Sequence, residues 1–335
     1  MYNRVSGTNA ILFIALFILM GCNKSDEKLP KITVSRLYVA ITAPTTGSES
    51  SKNTLVIDPA DVTPFKSREV LSDIFGSQGI CLDDSTFMVY QVSKLKLGVK
   101  KFVVSAQGIL TESSLFVDSS LTSPRAMAYR NKDKLLFISN NGDSTIKAYF
   151  KPDGLTGRKN KAVKRLKLNG RPQGICLDKE NLFVVLEGDR KEIQVGKITK
   201  ADSLIFPISG KITIAGATNL RGIFYYAKQD ILLVTDIGSE TDTKDGKIFI
   251  IEGATAKFAT NGLITPTRVI SGAATLLGNP VDVDFDQRED KNIIYVAEEG
   301  NKKIIGFKLS DTGDIAPIIN QDLSYAPTAI HLDAR

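Results

Sequence analysis

Only three cysteines and one histidine occur among the 335 residues. A single imidazole, His331, cannot build a zinc cluster, and any Ser-His-Asp arrangement would have to run through that one ring. After Met20 there is no second long apolar run, so nothing further along reads as a membrane-crossing helix. Sustained helical periodicity is equally scarce beyond residue 30. Acidic side chains are in the minority, 37 against 43 basic ones, for a net charge of +6. The cysteines themselves are oddly placed: "SQGICLDD", Ser77 to Asp84, and "RPQGICLD", Arg171 to Asp178, hold two of the three. A metal or redox centre would gather its thiols, whereas a duplicated unit would carry the phrase along.

The chain opens with "MYNRVSGTNA", holding one basic side chain, Arg4, and then "ILFIALFILM", a run of ten apolar residues from Ile11 to Met20. As a helix that run spans about 15 Å, half of a hydrocarbon core. It ends in "LMGC", Leu19 to Cys22. This pattern resembles the lipobox of bacterial lipoproteins. The resemblance implies a signal peptide over residues 1–21, lipidation of Cys22, and a polar tether over 22–34. An ordinary signal peptide with an incidental cysteine, or a short buried core segment, is the alternative. Asn23, in place of the aspartate that retains proteins at the inner membrane in the enterobacterial sorting pattern, favours the outer membrane, on its periplasmic or surface face. Nucleic acid is then not expected as a partner. Anionic lipid headgroups and acidic polysaccharides are the polyanions such a chain would meet.

The phrase around the two cysteines recurs as "SPRAMAY" from Ser123, "NLRGIFYY" from Asn219, "NPVDVDFD" from Asn279 and "YAPTAIHLD" from Tyr325. Its matching positions, Gly79, Ala126, Gly174, Gly222, Asp282 and Ala329, are 47, 48, 48, 60 and 47 residues apart. That is a period with one insertion. Each phrase leads through a polar turn into a β-prone run such as "KLLFISNN", "NLFVVLEG" or "NIIYVAEEG", and then into a second, such as "STIKAYF" or "KKIIGFKL". Short runs rich in Val, Ile, Phe and Tyr, bounded by Gly, Asn and Asp, are strand and hairpin signals. Units of this length with several strands each mark an all-β chain of the β-propeller class.

The last phrase stops after one strand, while the first β-run, "SRLYVAIT" from Ser35, arrives without a phrase and reads as the second strand of a unit. The two ends complete each other. Residues 35–335 are therefore expected to form one six-bladed β-propeller, closed by pairing of the N- and C-terminal strands beside Leu37. Cys81 and Cys176 then share a phase with Ala128, Phe224, Asp284 and His331 and sit two blades apart, beyond disulfide reach. His331 reads as a core or channel residue. Two basic stretches, "KLKLGVKK" (Lys94 to Lys101) and "GRKNKAVKRLKLNGR" (Gly157 to Arg171), alternate as outer strands with one face in water would.

"LLFISNNGDSTIKAYFKPDGLTG" and "IIYVAEEGNKKIIGFKLSDTGDI" resemble the repeats of the YVTN and lactonase-like β-propellers, with kinship to NHL-type and gluconolactonase-type rings. One fold serves unrelated activities, so the resemblance implies the ring and transfers no reaction. In such rings the start of the innermost strand and the tip between the second and third strands share one face. Gln78, Arg125, Gln173 and Arg221, with Asp282, are expected at that channel mouth, where they could meet an anionic or hydroxyl-rich ligand or simply hydrate a channel. The tips, which also carry Asn141, Asp189 and Glu299, add Asn140, Glu187, Asp236 and Glu298, the hard oxygen donors calcium takes, and gluconolactonase-type rings resemble this in holding one metal near the channel. Turn formation alone also favours such residues. The long stretches over residues 42–53 and 236–246 read as rim loops. The expectation is a monomeric, lipid-anchored envelope protein that binds a small ligand or another envelope protein without catalysis. A calcium-dependent lactonase-like hydrolase is the alternative.

Overall fold

The structure, a computed structural model, describes residues 33–43, 51–199, 204–239, 241–242 and 244–335, with the side chain of residue 189 excepted. The expected signal peptide, Cys22 and the tether up to residue 32 lie outside the described residues, as do residues 44–50 of one rim loop and positions 240 and 243 of the other. Val34–Arg335 forms one compact unit, and no described helix is long and apolar enough to cross a membrane.

Six small antiparallel sheets stand in a ring. Blade I takes its innermost strand from Ala326–Ala334, followed outward by Ser35–Thr42, Ser51–Ile57 and Ser67–Ser72. Blade II runs Ser77–Asp83, Met88–Ser93, Gly98–Val104, Leu110–Val117, and blade III Pro124–Arg130, Leu135–Asn140, Thr145–Phe150, Lys164–Lys167. Blade IV runs Pro172–Asp178, Asn181–Leu186, Glu192–Lys197, Ile208–Ile214, and blade V Leu220–Tyr226, Ile231–Asp236, Lys247–Glu252, Arg268–Ser271. Blade VI runs Pro280–Phe285, Ile293–Glu298, Lys303–Lys308, Ile319–Asp322. The innermost strands neighbour one another in that order, and blade VI returns to blade I. The chain is a six-bladed β-propeller.

Closure is by the expected pairing: Leu37 faces Leu332, and the ladder extends from Ser35–Ala334 to Thr42–Ala326. The 60-residue spacing also has its cause. Blade V carries a short helix, Ala254–Thr260, between its third and outer strands, and Leu263–Ile264 then adds a parallel fifth strand to blade IV. Phe258 of that helix packs on Phe183 of blade IV with ring centroids 5.6 Å apart.

Second strands read as continuous apolar runs because neighbouring blades cover both of their faces. Ile231–Asp236 and Leu135–Asn140 are buried at every position. The core accordingly divides into six apolar clusters, one at each blade interface. At roughly 25 cal/mol per Å² of apolar surface, these interfaces carry most of the favourable free energy.

Cys81 and Cys176 are free, on corresponding strands of blades II and IV. One sequence expectation fails. Lys164–Lys167 is an outer strand, but Lys100 and Lys101 belong to the third strand of blade II and are buried. Lys100 reaches Asp73 at 2.9 Å and Glu112 at 3.1 Å, and Lys101 donates to the Asp153 carbonyl. Their charges are satisfied by local partners instead of by water, so alternation with apolar residues did not signal exposure.

Candidate functional site

Every innermost strand bears the same irregularity. Its register against the second strand slips between Ser77 and Ile80, Pro124 and Met127, Pro172 and Ile175, Leu220 and Ile223, Pro280 and Asp282, and Pro327 and Ala329. The extra residues are Gln78, Arg125, Gln173, Arg221, Val281 and Thr328. A β-bulge re-aims the side chains it carries. Here it turns them over the channel mouth, around a cavity of about 400 Å3.

The glycine of the repeated phrase follows from the same crowding. A Cβ on Gly174 would lie 2.2 Å from the Arg221 carbonyl oxygen, and one on Gly79 would lie 2.6 Å from that of Arg125. Bulged strands of adjacent blades approach too closely for a side chain at those points.

The mouth has two unlike halves. In blades III to V, Glu187 accepts from Gln173 Nε2 at 2.8 Å, from Arg221 at 3.3 Å and from Asn141 Nδ2 at 2.9 Å. Burial would raise the Glu187 carboxyl, but these donors and the Arg125 charge hold it below the ordinary value. This half is saturated. Towards blade II, Arg125, itself on blade III, reaches only Gln78 Oε1, at a long 3.5 Å, and its buried Nε has no partner among the described residues. Burial lowers the Arg125 pKa against the pull of Glu187; the Arg221 charge adds to the lowering and Glu299 opposes it. Lys94, at the second tip of blade II, is lowered first by the Arg125 charge and then by burial. Across the cavity Glu299 is raised by burial against the pull of both arginines. Arg125 thus presents a buried N–H with no acceptor among the described residues to a cavity where Glu187 and Glu299 act on it only as charges.

The tip residues separate by phase. Asn140, Asp236 and Glu298 end their second strands and turn back onto the loop that enters the innermost strand. Asn140 Oδ1 accepts from the Thr122 and Ser123 amides at 2.9 and 3.1 Å. Asp236 accepts from Thr218, Asn219 and Gly238 at 2.6, 2.8 and 2.8 Å. Glu298 accepts from Gly278 and Asn279 at 3.1 and 2.8 Å, and burial raises it to about 7. Glu187 stands one residue later in its blade, opposite Asn141 and Glu299 in the repeat, and on a strand one residue changes the face. The four candidate calcium ligands therefore do not converge. Among the described residues no three of His, Cys, Asp or Glu are placed to hold a metal.

Asp282 lines the mouth, but its carboxylate is committed: it accepts from Ile330 N at 3.0 Å, across the interface to blade I, and from Val283 N at 3.0 Å. Asp284 repeats the device one turn of the pleat deeper, accepting from Leu332 N at 2.8 Å and Phe285 N at 2.7 Å. Burial raises both to about 7. Below them the channel is lined by Cys81, Ala128, Cys176, Phe224, Asp284 and His331, the phase expected from the repeat. Burial lowers His331 to about 4, so its 3.7 Å approach to Asp284 joins a neutral ring to the carboxyl group. Asn141 and Glu299 were read from sequence only as donors at the tips, and Lys94 was not singled out. The signal that joins the three is their common position, one residue past each second strand.

No protein-family model matches the sequence, and no curated protein matches it. Solved structures do. A chain of a nidogen/laminin complex superposes with a TM-score of 0.62 at 14% identity, over 89% of this chain and 98% of that one. A putative 6-phosphogluconolactonase from Bacteroides fragilis gives 0.58 at 12% identity, over 92% and 100%. Another, from Bacteroides uniformis, gives 0.60 at 10% identity, over 90% and 99%. At such identities the likeness is one of fold: this is a β-propeller with lactonase-like structural neighbours.

Proposed function

We propose that the protein is an exported, lipid-anchored envelope protein, held through Cys22 at the outer membrane, whose channel mouth binds a small hydroxylated anion without transforming it. One observation carries the ligand class: the buried Nε of Arg125, without a partner among the described residues, in the wall of a 400 Å3 cavity that Arg221 also lines. An anionic group there would supply the missing acceptor, and the amides of Gln78 and Gln173 with the Glu299 carboxyl would meet hydroxyls. The commitment of Asn140, Asp236 and Glu298 to backbone amides, and the saturation of Glu187, support binding over calcium chemistry at the tips. Calorimetric titration with glucuronate, glucose 6-phosphate and neutral glucose tests this. The anions are expected to bind, and R125A to weaken them about 10- to 100-fold, as loss of a charged hydrogen bond does. Equal binding of glucose, or unchanged affinity in R125A, overturns it.

One feature favours a second reading. Glu299, raised by burial and facing two arginines, has the makings of a metal-independent acid or base, and the two Bacteroides structures similar in fold are putative 6-phosphogluconolactonases. Turnover of glucono-δ-lactone that is lost in E299Q would establish hydrolysis in place of simple binding.

A further inference from the structure

A second charged region lies on the outer edge of blade III, away from the channel. Seven basic residues and no acidic one occur between Gly157 and Arg171. Four of them, Arg158, Lys159, Lys161 and Arg165, stand in the wall of a surface cavity of about 540 Å3. The acids beneath are already engaged. Asp143 pairs with Arg165 at 3.2 Å and lies 3.5 Å from Lys147, while Asp118 accepts from Ser120 N and the Tyr149 hydroxyl. Arg158, Lys159 and Lys161 have no acidic partner among the described residues.

The same edge exposes apolar side chains. Val163 runs into the outer strand, and Leu204 and Ile205 lie along Lys167 as an added bridge. They are 55%, 77% and 69% exposed. Cations and bare apolar side chains along one edge suit a single surface that offers both phosphate and hydrocarbon. A soluble polyanion would use the charges and leave Val163, Leu204 and Ile205 in water.

We infer that this edge is a docking face for an anionic lipid bilayer, laying blade III against the headgroups with its apolar side chains at the acyl boundary. The inference needs the chain to be held at a membrane, as proposed above, but not the channel mouth, so R125A leaves it intact. The sequence has no tryptophan, so V163W and I205W each give the full chain one indole reporter, with L71W on the outer strand of blade I as a control. Emission from V163W and I205W should shift to the blue with phosphatidylglycerol vesicles and not with phosphatidylcholine alone, and L71W should not respond. The triple variant R158E/K159E/K161E in the V163W background should raise the lipid needed for half the shift about a hundredfold at low salt. The inference is overturned by silent V163W and I205W reporters, by an equal response of L71W, or by indifference to charge reversal. Charge-dependent capture of dextran sulfate while the V163W indole stays in water on vesicles would assign the face to an acidic polysaccharide instead.

Discussion

Replacing Gly174 by alanine tests the physical cause of the repeated phrase. Its Cβ would stand 2.2 Å from the Arg221 carbonyl oxygen, where ordinary contact needs 3.4 Å or more, so the innermost strand of blade V must retreat by over 1 Å. The obstacle is backbone, which cannot rotate aside. Overpacking of this kind costs about 1–3 kcal/mol, and a backbone clash belongs at the upper end. Unfolding entropy near 2.1 cal/mol/K per residue gives about 0.6 kcal/mol/K for the roughly 300 residues of the ring, so 3 kcal/mol lowers Tm by about 5 °C. Gly154, with nothing within 4 Å of its added Cβ and no positive φ, is the matched control, and G154A should leave Tm unchanged or slightly raised. Differential scanning calorimetry of the two variants decides the matter. If G174A melts within 1 °C of the wild type, close approach is not what keeps glycine in the phrase.

Two further perturbations separate structural from functional carboxylates. D236A leaves three amides without their acceptor and should cost about 3 kcal/mol in urea unfolding while anion affinity at the mouth holds; a loss of affinity at unchanged stability would return Asp236 to the site. Asp284, raised from 3.8 to about 7, keeps in the folded state a proton that the unfolded chain releases. Its stabilising share is complete below about pH 4 and disappears as pH rises towards 7, an effect of up to about 4 kcal/mol. His331, lowered to about 4, contributes the opposite slope between about pH 4 and 6.5, and because it lies 3.7 Å from Asp284 the comparison is read above pH 6.5, where the ring is neutral in the folded and unfolded chain alike. D284N should therefore be more stable relative to wild type at pH 6.5 to 8 than at pH 3.5, below both titrations, measured by unfolding midpoints; an equal difference at the two ends would show that channel water keeps Asp284 ionised.

The ring was legible because duplication leaves its mark on backbone crowding. Gly79, Gly174 and Gly222 recur where neighbouring innermost strands nearly touch, and the spacing of the phrase alone counts the blades. Even closure could be read, since "SRLYVAIT" lacked an inner partner and "APTAIHLDA" lacked the rest of its sheet. The site was only half legible. Arg125 and Arg221 were found by their place in the phrase, but the bulge that aims them has no composition signal. Glu187 was grouped with Asn140, Asp236 and Glu298 because all four sit at tips. A one-residue offset puts Glu187 in the cavity and the other three on the backbone, and that offset shows only when Leu186 is set against Asn140 in the ladders. Lys100 and Lys101 misled for a related reason: periodicity shows which faces alternate, and not whether an ion partner waits beneath the charged one.

Blade I has a mechanical consequence. Val34 and Arg335 exchange backbone hydrogen bonds at 2.8 and 3.0 Å just beyond the Ser35–Ala334 pair, at the very end of the ladder that joins the two extremities of the ring. A force applied at Val34 therefore falls on that terminal pair first and peels the ladder rung by rung, so the weakest direction of the disc coincides with the one from which a tether would pull. Single-molecule extension from residue 34 should then open blade I alone before any other blade yields.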